Sequence, residues 1–189
     1  MLIPLRLSSQ TDEQLMQRAA RGSERAFEEL YNRHARRLQG FFARRLDSDS
    51  DLAADFMHDT FLRLYDARER YREGQNVRAW IYTIAYNLIK NHYRKPHPQP
   101  LSQGEGSEHI DEGTDVEVEL DEAVFHDALR DVLHRLPQPQ AMLFSLHYEE
   151  ELTIPQIAQI TALPEGTVKS RLHKTMNTIK QQLKQYENQ

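Results

Sequence analysis

The chain contains no cysteine, which excludes disulfides and thiolate metal sites and fits a reducing compartment. It also lacks any apolar run near the roughly 18 residues needed to span a bilayer. The opening MLIPLRLSSQ is too short and too interrupted for a signal peptide. These absences point to a cytoplasmic protein that is not itself a membrane protein. Strand-like alternation of apolar and polar residues is missing, and so is any internal repeat. With 39% hydrophobic and 28% charged residues in 189, the chain holds one or two small domains, leaner in core than average.

Basic residues are missing from one segment altogether. The net charge of −5 averages over +4 for residues 1–97, −9 for residues 98–125 and 0 for residues 126–189. The central stretch HPQPLSQGEGSEHIDEGTDVEVELDE combines proline, glycine and acid without extended apolar periodicity. It reads as a flexible acidic tether, residues 98–121, between an N-terminal unit (1–97) and a C-terminal unit (122–189).

Both units read as helical, so the expected fold is all-α, two small helical domains with a helix-turn-helix in the second. Phe27, Leu30, Tyr31, His34, Leu38, Phe41 and Phe42 keep helical spacing; Phe56, Phe61, Leu62, Leu64 and Tyr65 mark a second helix, and Trp80, Ile81, Ile84, Ala85, Leu88 and Ile89 a third. In the second unit Phe125, Ala128, Leu129, Val132, Leu133 and Leu136 trace a helix that stops before Pro137, and AMLFSLHY follows as another.

At the end of the chain, Thr153 with Gln156 three residues later has capping-box spacing and starts a short helix carrying Ile157, Ala158 and Ile160. After a three-residue turn, Pro164 suits the first position of a second helix. There Val168, Leu172, Met176, Ile179 and Leu183 form one apolar stripe. Gly166, Lys169, Ser170, His173 and Lys174 share the opposite face. A short helix, a tight turn and a helix with a basic outer face is the layout of a DNA-reading helix-turn-helix. A solvated helical hairpin is the plain alternative for this stretch taken alone.

The stretch NVRAWIYTIAYNLIKNHYRK, residues 76–95, interleaves Trp80, Tyr82, Tyr86 and Tyr93 with Arg78, Lys90, Arg94 and Lys95. Aromatic rings stack on unpaired bases at roughly 1–3 kcal/mol each, and neighbouring cations hold phosphates, so this surface suits single-stranded or opening DNA. Core filling by Trp80 and some of the tyrosines is the plain alternative. Asn87 and Asn91, one turn apart and poor helix formers, indicate polar contacts.

Three segments in order, AADFMHDTFLRLYDARERY, VRAWIYTIAYNLIKNHYR and LTIPQIAQITALPEGTVKSRLHK, resemble the signature regions of the extracytoplasmic-function group of bacterial RNA polymerase sigma factors. The resemblance implies that the helix carrying Asp55, Phe56, His58, Asp59, Phe61 and Leu62 docks on the clamp of core RNA polymerase. Relatives often have leucine in place of Phe56 and glutamine and glutamate in place of His58 and Asp59; Asp59 keeps the charge. It implies that Arg78, Trp80, Tyr82, Tyr86, Asn87, Lys90, Asn91 and Arg94 melt and read the −10 promoter element, capturing a flipped base at a cost of a few kcal/mol. Asn91 stands where aspartate is frequent. It further implies that Gly166, Thr167, Lys169, Ser170, Arg171, His173 and Lys174 read the −35 element of promoter DNA, Thr167 and Arg171 nearer the backbone. In the family the tether threads the polymerase channels, where the nine acidic residues of 98–125 can imitate a nucleic-acid strand; a solvated spacer explains the same composition. The family also implies a monomer controlled by an anti-sigma factor, often membrane-tethered, with no cofactor and no metal.

An enzyme is not expected. The His58–Asp59 dipeptide invites a metal phosphohydrolase, but no second ligand motif accompanies it. The run YEEEL at 148–152 could bind a cation, although such a run is usually a solvated turn. The nearer rival is a one-component helix-turn-helix regulator acting without polymerase.

Overall fold

The computed structural model describes residues 7–46, 48–94 and 122–186. The tether at 98–121 lies outside the described residues. Among the described residues all regular structure is helical, and no helix is long and apolar enough to cross a membrane.

Helix α1 (Asp12–Ala20) starts at a capping box: the Gln14 N–H donates to the Thr11 hydroxyl, and the Thr11 N–H donates to the Gln14 side chain. Helix α2 (Glu24–Arg45) buries Leu30, Leu38, Phe41 and Phe42. Helix α3 (Ser50–Asp66) is capped by Asp49, which accepts from the Asp51 and Leu52 N–H groups. Helix α4 (Val77–Arg94) begins beside Asn76, whose side-chain oxygen accepts from the Ala79 N–H at 2.7 Å. Aromatic edges join these helices, Phe41 against Tyr82 and Phe42 against Phe56, in arrangements that add about 0.5–1.5 kcal/mol each beyond area burial.

In the second unit α5 (Glu122–Arg135) ends before Pro137, as its sequence requires. Helix α6 (Gln138–Phe144) runs into a wider π turn at Ser145–Glu149. Helix α7 (Ile154–Thr161) has the expected Thr153–Gln156 capping box. Ala162 reverses the chain at φ 57°, ψ 31°, a left-handed conformation that costs a non-glycine residue roughly 1–2 kcal/mol. Helix α8 (Glu165–Tyr186) follows. The Pro164 carbonyl accepts the Val168 N–H, so Pro164 stands one place ahead of the expected first helical position.

The apolar stripe of α8 serves two cores. Val168 and Leu172 join the main core, whereas Ile179 and Leu183 pack with Ala128, Val132, Leu136, Ala141 and Phe144 in a smaller one. The main core crosses between the units: Met142, Leu143, Leu146, Leu152, Ile157 and Ile160 are continuous with the interior of α1–α4. Helix α7 lies against α4. The sequence led us to expect two units joined only through a tether, but each leaves an apolar face unfilled by its own helices, and the two faces cover one another.

Candidate nucleic-acid interface

Helix α3 separates cleanly into two sides. Met57, Thr60, Phe61 and Leu64 are buried, while Asp55, His58 and Leu62 are exposed, Leu62 by 61%, and Asp59 is half-buried. The spacing of the outward set at i, i+3, i+4 and i+7 makes one stripe. Phe61 departs from expectation: it is 3% exposed, enclosed by Phe27 and Tyr31, and is absent from the outer face. Phe56 is half-buried, edge-on to Phe42 and His92. The His58 ring stacks with Tyr31, and Asp59 is gripped by both Nε and Nη2 of Arg63, at 3.0 and 3.1 Å. Asp59 and Arg63 share an open groove of about 480 Å³ with Asn91 and Arg94 at the end of α4, so the docking and −10 candidates meet there.

The residues expected on one face of α4 divide into two groups. Asn87, Lys90, Asn91 and Arg94 are exposed. Trp80 is half-buried and stacks with Tyr71, whose hydroxyl donates to the Gln75 carbonyl in the loop leading to α4. Tyr86 is half-buried; burial raises its pKa, with the charge of Arg171 on α8 opposing. Tyr82 is 2% exposed. It falls on the buried stripe with Ala85 and Ile89, at i+3 and i+7, and in this conformation its ring is not available to a base.

Tyr82 instead takes part in a clasp around Glu150, a residue of the YEEEL run with no exposed surface. The Glu150 carboxylate accepts from Arg37 Nε at 2.8 Å, from Arg44 Nη2 at 2.9 Å and from the Tyr82 hydroxyl. Its carbonyl accepts from Arg78, and the Arg37 Nη2 donates to the Glu149 carbonyl at 2.8 Å. Glu149 in turn accepts from Arg44 Nε and the Ser145 hydroxyl. Burial and the adjacent Glu150 charge push the Tyr82 pKa up, keeping this hydroxyl a donor. The expectation of a solvated turn therefore holds for exposed Glu151 and fails for Glu150. Two arginines of α2 and Tyr82 of α4 converge on one carboxylate of the second unit, and Arg78 of α4 on the backbone carbonyl of the same residue.

On α8 the outer face is open. Gly166, Lys169, Ser170, Arg171, His173 and Lys174 are exposed and Thr167 is half-buried, opposite buried Val168 and Leu172. The Ser170 hydroxyl donates to the Thr167 carbonyl at 3.1 Å, and the His173 ring lies 3.1 Å from the Asn177 amide. Both bonds are local and at the surface, so they can be exchanged for a ligand's at little cost.

Comparison with known proteins places this arrangement. Residues 30–97 match the sigma-70 region 2 family and residues 126–182 the sigma-70 region 4 family. The ECF RNA polymerase sigma-E factor of Haemophilus influenzae is 29% identical over 182 residues, 92% of this chain and 95% of its own length. The RNA polymerase sigma-H factor of Pseudomonas aeruginosa is 27% identical, over 92% of this chain and 94% of its own. Among solved structures, CnrH in complex with the cytosolic domain of CnrY matches with a TM-score of 0.65 at 22% identity, covering 92% of this chain and 97% of that one. The sigma factor RpoE of Bartonella quintana, in complex with the anti-sigma factor NepR, matches with a TM-score of 0.62 at 22% identity, over 84% and 96% of the two chains. With both sigma regions in order and relatives aligned along nearly their whole length, the chain belongs to the extracytoplasmic-function group of RNA polymerase sigma factors: an alternative sigma factor, a transcription initiation factor rather than an enzyme in itself, acting with core RNA polymerase at promoter DNA.

Proposed function

We propose that the protein acts in the cytoplasm as a monomer, with three surfaces in separate roles. The outer stripe of α3, Asp55, His58, Asp59 and Leu62, docks on core polymerase. Asn87, Lys90, Asn91 and Arg94 on α4, with Trp80 and Tyr86, open and read the −10 element. Lys169, Ser170, His173 and Lys174 on α8 read the −35 element, Arg171 and Thr167 holding phosphates. The observation that carries this reading is the division of each helix into a buried apolar stripe and an exposed polar one at the family's positions. The basic side chains on α4 and α8 suit phosphate, and the exposed Leu62 beside acidic groups suits a protein partner.

We also read the packed arrangement as a resting state. Arg78 and Tyr82 are occupied by Glu150, so full engagement of the −10 element requires the two units to part. A partner that favours the packed form would keep the protein off promoters. The solved neighbours include complexes with the anti-sigma factor NepR and with the cytosolic domain of CnrY, which supports control by an anti-sigma factor, in a membrane-tethered form.

Run-off transcription with purified core polymerase tests the reading. Added protein should give promoter-dependent transcripts from a subset of templates of its own genome. A gel shift without core should be weak. Tight duplex binding that core does not improve, with no promoter-dependent product, would mean the helix-turn-helix acts alone.

A further inference from the structure

Arg45 closes α2 with its side chain 5% exposed, yet it has no carboxylate partner. Its Nε is enclosed and unpaired, and its backbone carbonyl accepts from the Tyr93 hydroxyl. Glu149, whose charge acts on Arg45, is already held by Arg44 and Ser145. Burial pulls the Arg45 guanidinium below its ordinary pKa, as happens to a charge that is desolvated without compensation. Buried charges in folded proteins are ordinarily paired.

What Arg45 faces is a cavity of about 370 Å³ between the end of α2 and α5, lined by Arg44, Arg45, Ser48, Arg130, His134 and Glu149 among others. The Arg45 guanidinium lines it beside the Ser48 hydroxyl and the His134 imidazole, while Arg44 on the same wall is already held by Glu149 and Glu150. The planar, multi-donor guanidinium matches the oxygens of a phosphate-type group. Arg45 and Ser48 come from the N-terminal unit, whereas Arg130, His134 and Glu149 come from the C-terminal unit.

We infer that this cavity binds a phosphoryl-type oxyanion, with Arg45 as its central ligand, and that the bound anion ties the two units together. The phosphoryl group can come from free pyrophosphate or from the phosphate end of a nucleotide, two sources with the same recognition chemistry.

The inference is tested on the full chain by isothermal titration and thermal unfolding with inorganic pyrophosphate and, separately, with ADP. Pyrophosphate should bind saturably at one site per chain and raise the melting temperature. Arg45→Met should weaken that binding at least tenfold. In anion-free buffer the same variant should melt no lower than the parent, because it removes an unpaired buried charge. Arg36→Gln is the control for diffuse attraction: Arg36 is exposed and nine residues from Arg45, half a turn round α2, and its loss should leave binding intact. Should Arg45→Met fail to fold, His134→Gln, at an exposed wall of the cavity, should still weaken binding several-fold. ADP binding as tight as pyrophosphate identifies a nucleotide source; pyrophosphate alone identifies the free anion. Absence of saturable binding by either, or equal loss with Arg36→Gln, overturns the site. So does a lower melting temperature for Arg45→Met in anion-free buffer with no pyrophosphate response in the parent.

Discussion

Glu150→Gln is the most informative single change in the packed form. It removes the charge from a carboxylate with no exposed surface while keeping its volume and one acceptor oxygen. Two arginine bonds, at 2.8 and 2.9 Å, lose their ionic character, and a charge-assisted bond exceeds a neutral one by about 1 kcal/mol. The new amide also presents N–H groups to arginine or tyrosine donors, leaving at least one buried donor unsatisfied for about 1–3 kcal/mol. Arg37 and Arg44 are 42% and 43% exposed, so they regain water when released, which favours the low end of each range. The sum is about 2–4 kcal/mol against the packed form, roughly 30- to 700-fold in the packed-to-open ratio at 1.4 kcal/mol per decade. Full replacement of such a group by well-packed apolar residues would be a different experiment, since removing one partner alone leaves the others uncompensated.

The absence of cysteine makes the assay direct. Cysteines introduced at exposed Glu69 and Lys180, one in each unit, carry a dye pair for time-resolved energy transfer without polymerase. The parent should give one short, narrow distance distribution; Glu150→Gln should broaden and lengthen it. Arg44→Gln should act in the same direction but less, and the double variant should fall short of the sum by about 1 kcal/mol or more, as contacting residues do. An unchanged distribution for Glu150→Gln, or strict additivity with Arg44→Gln, would refute the clasp as what holds the units together.

Further outcomes follow from particular contacts. Asp12 has its pKa lowered by the hydrogen bond to His34 at 2.6 Å, with Arg33 at 3.0 Å assisting and burial opposing. A depressed carboxylate stabilises the fold above its unfolded value and loses that contribution as pH falls through the folded one. Asp12→Asn should therefore cost about 2 kcal/mol in urea unfolding at neutral pH, a deficit that shrinks below about pH 4; a deficit independent of pH would reject the assignment. Asp59→Arg should abolish core polymerase in a pull-down, since a like charge at a desolvated interface costs several kcal/mol. Circular dichroism should stay unchanged, because the surface pair with Arg63 contributes only about 0.3–0.5 kcal/mol. On α8, Ser170→Ala and Lys174→Ala should each relax promoter preference at one position by about 1–3 kcal/mol in library selection. Leu172→Ala, 4% exposed, should instead lose about 2–5 kcal/mol of stability; unaltered −35 preference in the outer-face variants would remove α8 as the reader.

How much of this was legible in the sequence depends on whether a signal is local. The Thr153–Gln156 cap and the end of α5 before Pro137 depend on residues within one turn, and both appear in the structure. The buried stripe of α8 repeats its own period and was equally readable. Phe61 was misplaced although Met57, Phe61 and Leu64 stand at i, i+4 and i+7; that spacing identifies the inner face, and an aromatic beside acidic residues drew attention away from it. Glu150 had no local signal at all. Three identical carboxylates in a row have no period, and which of them is buried is decided by Arg37, Arg44 and Tyr82, between 68 and 113 residues away in the chain. Ala162 hides the turn for a related reason, because a left-handed position is announced by glycine and here is enforced by the helices on either side.

The clasp divides the two proposed DNA-reading surfaces unequally. Lys169, Ser170, His173 and Lys174 remain exposed in the packed form, whereas Arg78 and Tyr82 are spent on Glu150 and α7 covers part of α4. A packed chain can thus touch duplex DNA through α8, but that contact is separated from the residues proposed to open the strands. The Glu150 charge favours the packed form by about 2–4 kcal/mol over its neutral amide by the reasoning above, and DNA contacts at α8 contribute nothing toward opening it, since they are equally available in both forms and a ligand shifts an equilibrium only by its differential affinity. The outer stripe of α3 is also exposed in both forms, so docking through it alone has the same limitation. On the proposed reading, the work of parting the units comes from ligands that favour the open form: −10 DNA that takes up Arg78 and Tyr82 once Glu150 releases them, and polymerase surfaces that bind the two units at a spacing the packed form cannot adopt.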